Sequence, residues 1–175
     1  ISKYYKTEFS IEKLYSLPLY DIIDRNASNK GRVGLRNLGN TCFMNSAIQC
    51  LSHCEDLTKY FLSKYFEQEL NYTNKLGNEG ELAKSYFKLV SQLWNSNVSV
   101  LSPMDFKQIF VNFARQFSGF SQQDAQEMLI FVLDGLHEDL NRVRTKPYIQ
   151  IEEQKKEENE KEASERWWKN HLSRE

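Results

Sequence analysis

The stretch "AQEMLIFVLDGLHEDL", residues 125–140, constrains the fold more than any other part of the chain. Ala125, Met128, Leu129, Val132, Leu133, Leu136 and Leu140 recur at three- and four-residue spacing. That period places them along one side of an α-helix, and the resulting dry stripe must be covered by other elements. A strand would scatter the same residues over both faces. The spacing predicts a helix capped by Ser121, with Asp124 three residues on, running to about Arg142.

Four further helical patterns supply the cover. Phe43, Met44, Ala47, Ile48 and Leu51 follow Thr41, with Asn40 or Thr41 as the N-cap. Leu57, Tyr60, Phe61 and Tyr65 form a second run, and Leu82, Tyr86, Leu89, Val90 and Leu93 a third. "SVLSPMDF" opens a fourth, with Ser102 as cap, Pro103 at the first helical position, and Phe106, Ile109, Phe110 and Phe113 on its apolar face. "NYTNKLGNEGE" is a loop by composition, and "KPYIQI" is expected to be a short strand. In "FSIEKLYSLPLYDII", Pro18 separates a short helix from an extended stretch. Residues 1–30 therefore read as a lead-in arm packed on a body of residues 31–151. Residues 152–175 form a charged connection: 11 of the 15 residues from 152 to 166 are charged, consistent with a solvated helix or linker. The "WWKNHL" behind them is expected to dock, because two adjacent Trp are costly to leave in water.

Composition excludes several function classes. Forty per cent apolar and 13% aromatic residues suffice for a sizeable core. Twenty-three basic and 24 acidic residues give a net charge of −1, which offers no electrostatic reason to bind nucleic acid or an anionic membrane. No apolar run approaches the roughly 18 residues of a membrane span. "ISKYYKTEFS" has no signal-peptide core and no initiator Met, so the chain is expected to be a piece of a longer protein. Cys42, Cys50 and Cys54 are odd in number and form no CxxC pair, which argues against a disulfide framework or a zinc ribbon. A reducing compartment, cytoplasm or nucleus, fits best. The N-x-S/T triplets at Asn26, Asn71 and Asn97 are no more than chance supplies.

One thiol stands apart. In "NLGNTCFMNS", Cys42 follows a Gly-Asn-Thr turn and falls at the first turn of a helix. Helix N-termini present unpaired N–H groups and a positive dipole end, both of which favour a nucleophilic thiolate. Asn37 lies five residues earlier, between Gly34 and Gly39, where its amide could donate to an oxyanion forming beside the sulfur. Cys50 and Cys54 read as buried small hydrophobes further along the same helix. No histidine is well placed as a base. His53, taken as part of that helix, would sit about 16 Å up the axis from Cys42. His137 reads as a partly exposed helix-face residue, and His171 lies beyond the charged run.

Two boxes carry a resemblance. "GLRNLGNTCFMNSAIQCL", residues 34–51, resembles the cysteine box of the ubiquitin-specific proteases, and "FSGFSQQDAQEMLIFVLDGLHEDLNR", residues 117–142, resembles their QQD box. "LNRVRTKPYIQI" and "WWKNHL" are similar to the multi-domain members whose catalytic domain is split by insertions. The resemblance implies an α+β papain-like cysteine protease fold, with this chain as its mostly α-helical thumb lobe. It implies Cys42 as nucleophile and Asn37 as oxyanion donor. Asp124 would meet an arginine-bearing ubiquitin tail, or else only cap its own helix, and Gln123, Phe43 and Asn45 would line the same narrow channel. Met128 stands where the family more often has Phe, a change of little expected effect. The family's Gly-His-Tyr stretch, which carries the catalytic His, is not among these residues, nor are the zinc-binding Cys pairs of its fingers. The implied enzyme therefore needs the remainder of its catalytic domain, and the chain alone is expected to be inactive. A catalytically dead ubiquitin-binding module is the alternative reading.

Overall fold

In a computed structural model of the chain, the structure describes residues 10–144 and 158–172. It divides into two compact units, Ile1–Asn141 and Arg142–Glu175. The first runs α1 (Ile11–Ser16), α2 (Leu19–Ile22), β1 (Gly34–Leu35), α3 (Cys42–Leu51), α4 (Glu55–Leu62), a 3-10 turn at Tyr65–Gln68, α5 (Glu81–Asn95), β2 (Val100–Leu101), α6 (Met104–Phe113), a second 3-10 turn at Arg115–Phe117, and α7 (Ala125–Asp139). The second unit contains α8 (Glu160–Leu172). β1 and β2 pair in parallel, Gly34 with Val100 and Leu35 with Leu101.

α5 forms the centre of the first unit, packed against α4, α6 and α7, while α3 packs against α7. Leu82, Tyr86, Val90 and Leu93 of α5 are fully buried, as are Met128 and Val132 of α7. An aromatic chain runs through them: Phe61 contacts Phe66 and Tyr86, Tyr86 contacts Phe106, and Phe106 leads through Phe110 to Phe117. Each such side chain contributes about 1.5–3 kcal/mol when taken fully out of water. Leu14, Leu19, Ile23 and Ala27 are buried too, and both α1 and α2 lie against α4. Residues 19–22, expected to be extended, instead continue as α2 beyond Pro18. Proline is tolerated at a helix start, where its missing N–H would have no partner.

Several helix ends fall elsewhere than the spacing predicts, each for a local reason. α3 stops at Leu51, because the Ser52 carbonyl is taken by the Thr58 hydroxyl at 2.8 Å and the Trp94 indole N–H at 2.9 Å. His53 therefore lies off the helix, and Cys54 is the N-cap residue of α4. Both Cys50 and Cys54 are exposed, not buried. Tyr65 falls in the 3-10 turn after α4. α6 begins one residue late, with Pro103 in the N-cap position and no side-chain cap, so Ser102 does not cap it. α7 is capped by Asp124, not Ser121: its Oδ1 accepts from Gln126 N–H at 2.6 Å and Glu127 N–H at 3.0 Å. A carboxylate suits the positive end of the helix better than a hydroxyl. α7 ends at Asp139 rather than Arg142, and its dry face is Met128, Val132, Gly135 and Leu136, with Ala125 and Leu133 exposed.

The loop between the 3-10 turn at Tyr65–Gln68 and α5 is a polar knot around α7's last turn. Asp139 is fully buried, with Oδ1 accepting from the N–H groups of Asn78 and Gly80 and Oδ2 from Ala83 N–H. A carboxylate from α7 thus caps the start of α5. Asn71 is 1% exposed and engaged at both ends of its amide, which closes one of the N-x-S/T triplets to modification in the folded chain. In the second unit, Arg166 forms a two-pronged ion pair with Glu158. Trp167 and Trp168, expected to dock, are exposed at 43% and 62%. The expected strand "KPYIQI" and the charged residues 152–157 lie outside the described residues. No described helix is long and apolar enough to cross a membrane.

Candidate active site

Cys42 is the first residue of α3, and its thiol is exposed. The turn that delivers it is built from the side chains before it. Asn37 turns its carboxamide oxygen inward, accepting from Gly39 N–H and Thr41 N–H, each at 3.0 Å, and from the Thr41 hydroxyl at 3.2 Å. The Thr41 hydroxyl oxygen in turn accepts from Leu38 N–H at 2.9 Å, so Thr41 braces the turn rather than capping α3. Gly39 and Asn40 both adopt left-handed backbone, at φ +99° and +54°. Glycine and asparagine are the residues that tolerate that region, and this is what the Gly-Asn pair is for.

With its oxygen committed three times over, Asn37 keeps its NH2 group as the unengaged end, and no described residue accepts from it. The residue is exposed on the same turn as the thiol. An amide held by its oxygen and presenting its N–H groups is a preorganised donor for developing negative charge.

Asn45, one helical turn after Cys42, donates from Nδ2 to the carbonyls of Leu35 and Arg36 at 3.3 and 3.2 Å. It stitches the start of α3 to β1, and its Oδ1 is buried without a partner. Phe43, expected in a channel, points the other way: it is 9% exposed and its ring stacks on Phe117 at 6.0 Å. A residue next to Cys42 on a helix faces about 100° away from it, into the core. Gln123 is half-buried, with Nε2 donating to the Gln116 carbonyl at 3.5 Å. Asp124 is exposed, and with Oδ1 capping α7 its Oδ2 has no partner among the described residues.

A direct bond ties the two boxes together: Asn40 Nδ2 donates to the Phe120 carbonyl at 2.9 Å, across 80 positions of sequence. The structure therefore brings the Asn37–Cys42 turn against Phe120, and takes Phe43 into the core. The sequence offers Asn40 only as a helix cap and gives Phe120 no role of its own. Phe120 is 73% exposed. Among the described residues of the first unit, no histidine is beside the thiol. His53 Nδ1 contacts the Gln49 carbonyl at 2.8 Å and its ring packs on Trp94, at the opposite end of α3. His137 is exposed in the last turn of α7, and His171 packs on Trp168 in the second unit. Nor do three His, Cys, Asp or Glu side chains converge as metal ligands among the described residues.

Comparisons with known proteins identify the family. The family model described as ubiquitin carboxyl-terminal hydrolase matches residues 33–174. Ubiquitin carboxyl-terminal hydrolase 15 of Rattus norvegicus is 54% identical over 150 residues, covering 86% of this chain and 16% of the relative. The Homo sapiens protein of that name is also 54% identical, over 86% of this chain and 15% of its own length. Ubiquitin carboxyl-terminal hydrolase 4 of Mus musculus is 55% identical over 120 residues, 69% of this chain and 12% of the relative. The chain thus spans less than a fifth of the curated relatives it matches. On the strength of that match, with both boxes meeting at one thiol-bearing turn, the chain belongs to the ubiquitin carboxyl-terminal hydrolase family, as a mostly helical lobe of its papain-like fold.

Proposed function

We propose that the protein containing this chain is a thiol-dependent hydrolase that cleaves the isopeptide or peptide bond after the C-terminal glycine of ubiquitin, with Cys42 as nucleophile. The observation that carries the reading is the exposed thiol at the first residue of α3, behind a left-handed turn, in a chain of this family.

In the proposed reaction the thiolate adds to the glycine carbonyl carbon. The oxyanion that forms takes hydrogen bonds from Asn37 Nδ2. The C–N bond then breaks, the amine leaves with a proton from a base, and a thioester remains. Water hydrolyses it to the free carboxylate and thiol. The base belongs to the remainder of the catalytic domain, beyond the described residues. The partners are accordingly ubiquitin, ubiquitinated proteins and that remainder. Asp124 serves twice: Oδ1 caps α7, and the open Oδ2 receives an arginine of the ubiquitin tail through a charge-assisted bond. Gln123 lies beside it on the same segment. Asn45 acts from behind, holding the start of α3 to β1. Free, exposed Cys42, Cys50 and Cys54 support a reducing compartment, the cytoplasm or nucleus.

The test is intact mass after mixing with ubiquitin bearing a C-terminal electrophile. The longer protein is expected to gain one ubiquitin, and its Cys42→Ala variant none. The isolated chain is expected to gain none. No adduct on the longer protein, with ubiquitin binding retained, would replace this reading with that of a non-catalytic ubiquitin-binding module.

A further inference from the structure

Phe120 is the most exposed large apolar side chain in the described residues, yet everything around it is fastened. Its carbonyl accepts from Asn40 Nδ2 at 2.9 Å. Its ring lies on Gly39, where an added Cβ would stand 3.4 Å from Phe120 Cδ1. The Lys107 ammonium sits over the ring, 5.2 Å from its centroid, and donates to the Gly119 carbonyl at 3.4 Å. Lys107 belongs to α6, whose Phe106 and Phe110 are in the core. A line of contacts therefore runs from the core through α6 to Lys107, from Lys107 to Phe120, and from Phe120 to Gly39 and Asn40. Those are the two left-handed residues that immediately precede Thr41 and Cys42.

We infer that Phe120 is a positioning residue, a latch that holds the Asn37–Cys42 turn in the geometry that attacks substrate. The inference rests on Cys42 being the nucleophile. Left-handed backbone at a non-glycine residue persists where its surroundings enforce it; at Asn40 the Phe120 carbonyl holds the side chain, and the Phe120 ring covers the adjoining Gly39. Asn40's own amide satisfies the latch from the other side. Released, Asn40 relaxes toward ordinary backbone angles. The Asn37 amide and the thiol then lose their common alignment, while the core, which Phe120 does not join, stays intact. A group acting this way changes the rate of the chemical step rather than substrate affinity, because misplacing reacting groups by about 1 Å can cost on the order of a hundredfold.

The experiment compares Phe120→Ala, Phe120→Tyr, Asn40→Gly and Cys42→Ala in the full-length protein, using ubiquitin with a fluorogenic amide at its C-terminus. Phe120→Ala is expected to lower kcat about tenfold or more with KM within about twofold. Phe120→Tyr, which keeps the ring, is expected to retain most of the rate. Asn40→Gly removes the bond and leaves position 40 free to depart from the left-handed region, and is expected to lower kcat in the same way. The double variant should be no slower than the slower single one, because both changes open one latch. Melting temperatures should stay near that of the unaltered protein. A raised KM with unchanged kcat in Phe120→Ala would overturn the latch and make the ring a substrate contact. Unimpaired Phe120→Ala beside inactive Cys42→Ala would overturn the latch alone. Retained turnover in Cys42→Ala would overturn the nucleophile, and the latch with it.

Discussion

One oxygen of Asp124 caps α7, and the other is left open among the described residues. Asp124 was legible as an acid at the start of a helix, but which of its oxygens is occupied depends on the fold. Asparagine keeps an oxygen for the cap and removes the charge, whereas alanine removes both. Asp124→Asn is therefore expected to weaken ubiquitin binding with little change in melting temperature. Asp124→Ala should in addition lose about 1 kcal/mol of stability, measured by urea unfolding. Equal ubiquitin affinity in all three proteins would leave Asp124 as a cap alone. Tyr86 is fully buried among Phe61 and Phe106, and its hydroxyl has no partner among the described residues. Burial pushes its pKa above the ordinary tyrosine value of about 10. A raised folded value means that the neutral form is favoured in the native state. That advantage is complete below about pH 10 and is lost as pH rises beyond it, where only the unfolded chain ionises freely. Tyr86→Phe is expected to raise stability by about 1 kcal/mol at neutral pH, because an unpaired buried hydroxyl disappears. The gain should widen above about pH 10; a loss of stability at neutral pH would show that the hydroxyl is satisfied.

At the scale of elements, the crossing of α5, α6 and α7 depends on Gly135. A Cβ there would lie 2.4 Å from Leu82 Cδ2 and 2.9 Å from Phe113 Cε1. Helix propensity alone would favour alanine by about 1 kcal/mol. Overpacking a close-fitted core costs about 1–3 kcal/mol, so the steric effect wins. Gly135→Ala is expected to destabilise, and a stabilised protein would show that α5 and α7 can separate at little cost. One turn on, Asp139 ties the same end of α7 to the start of α5. Asp139→Ala strands the buried N–H groups of Gly80 and Ala83 and the part-buried one of Asn78, with an expected loss of about 2–4 kcal/mol in denaturant unfolding. Sequence periodicity finds both helices but says nothing of how Gly135 or Asp139 is used. Neither role exists until two elements meet.

At the scale of the molecule, residues 10–27 behave as part of the first unit rather than as an appendage, since Leu14 and Ile23 are as buried as the central helices. Leu14→Ala is expected to cost about 2–5 kcal/mol, as for other buried leucines. Backbone amides of α1 and α2 should be protected from hydrogen exchange to nearly the degree of α4. Rapid exchange confined to α1 and α2 would instead make them a separable arm. The sequence by itself determined the period of the central helices and the family, because those depend on residue type and local spacing. It did not determine that α3 ends at Leu51, that Phe43 turns inward, that Cys50 and Cys54 are exposed, or that Asn40 bonds Phe120. Those outcomes were decided by groups far apart in the chain competing for the same carbonyls, cavities and turns, as when Thr58 and Trp94 both take the Ser52 carbonyl. Only the tertiary structure brings such competitors within reach of one another.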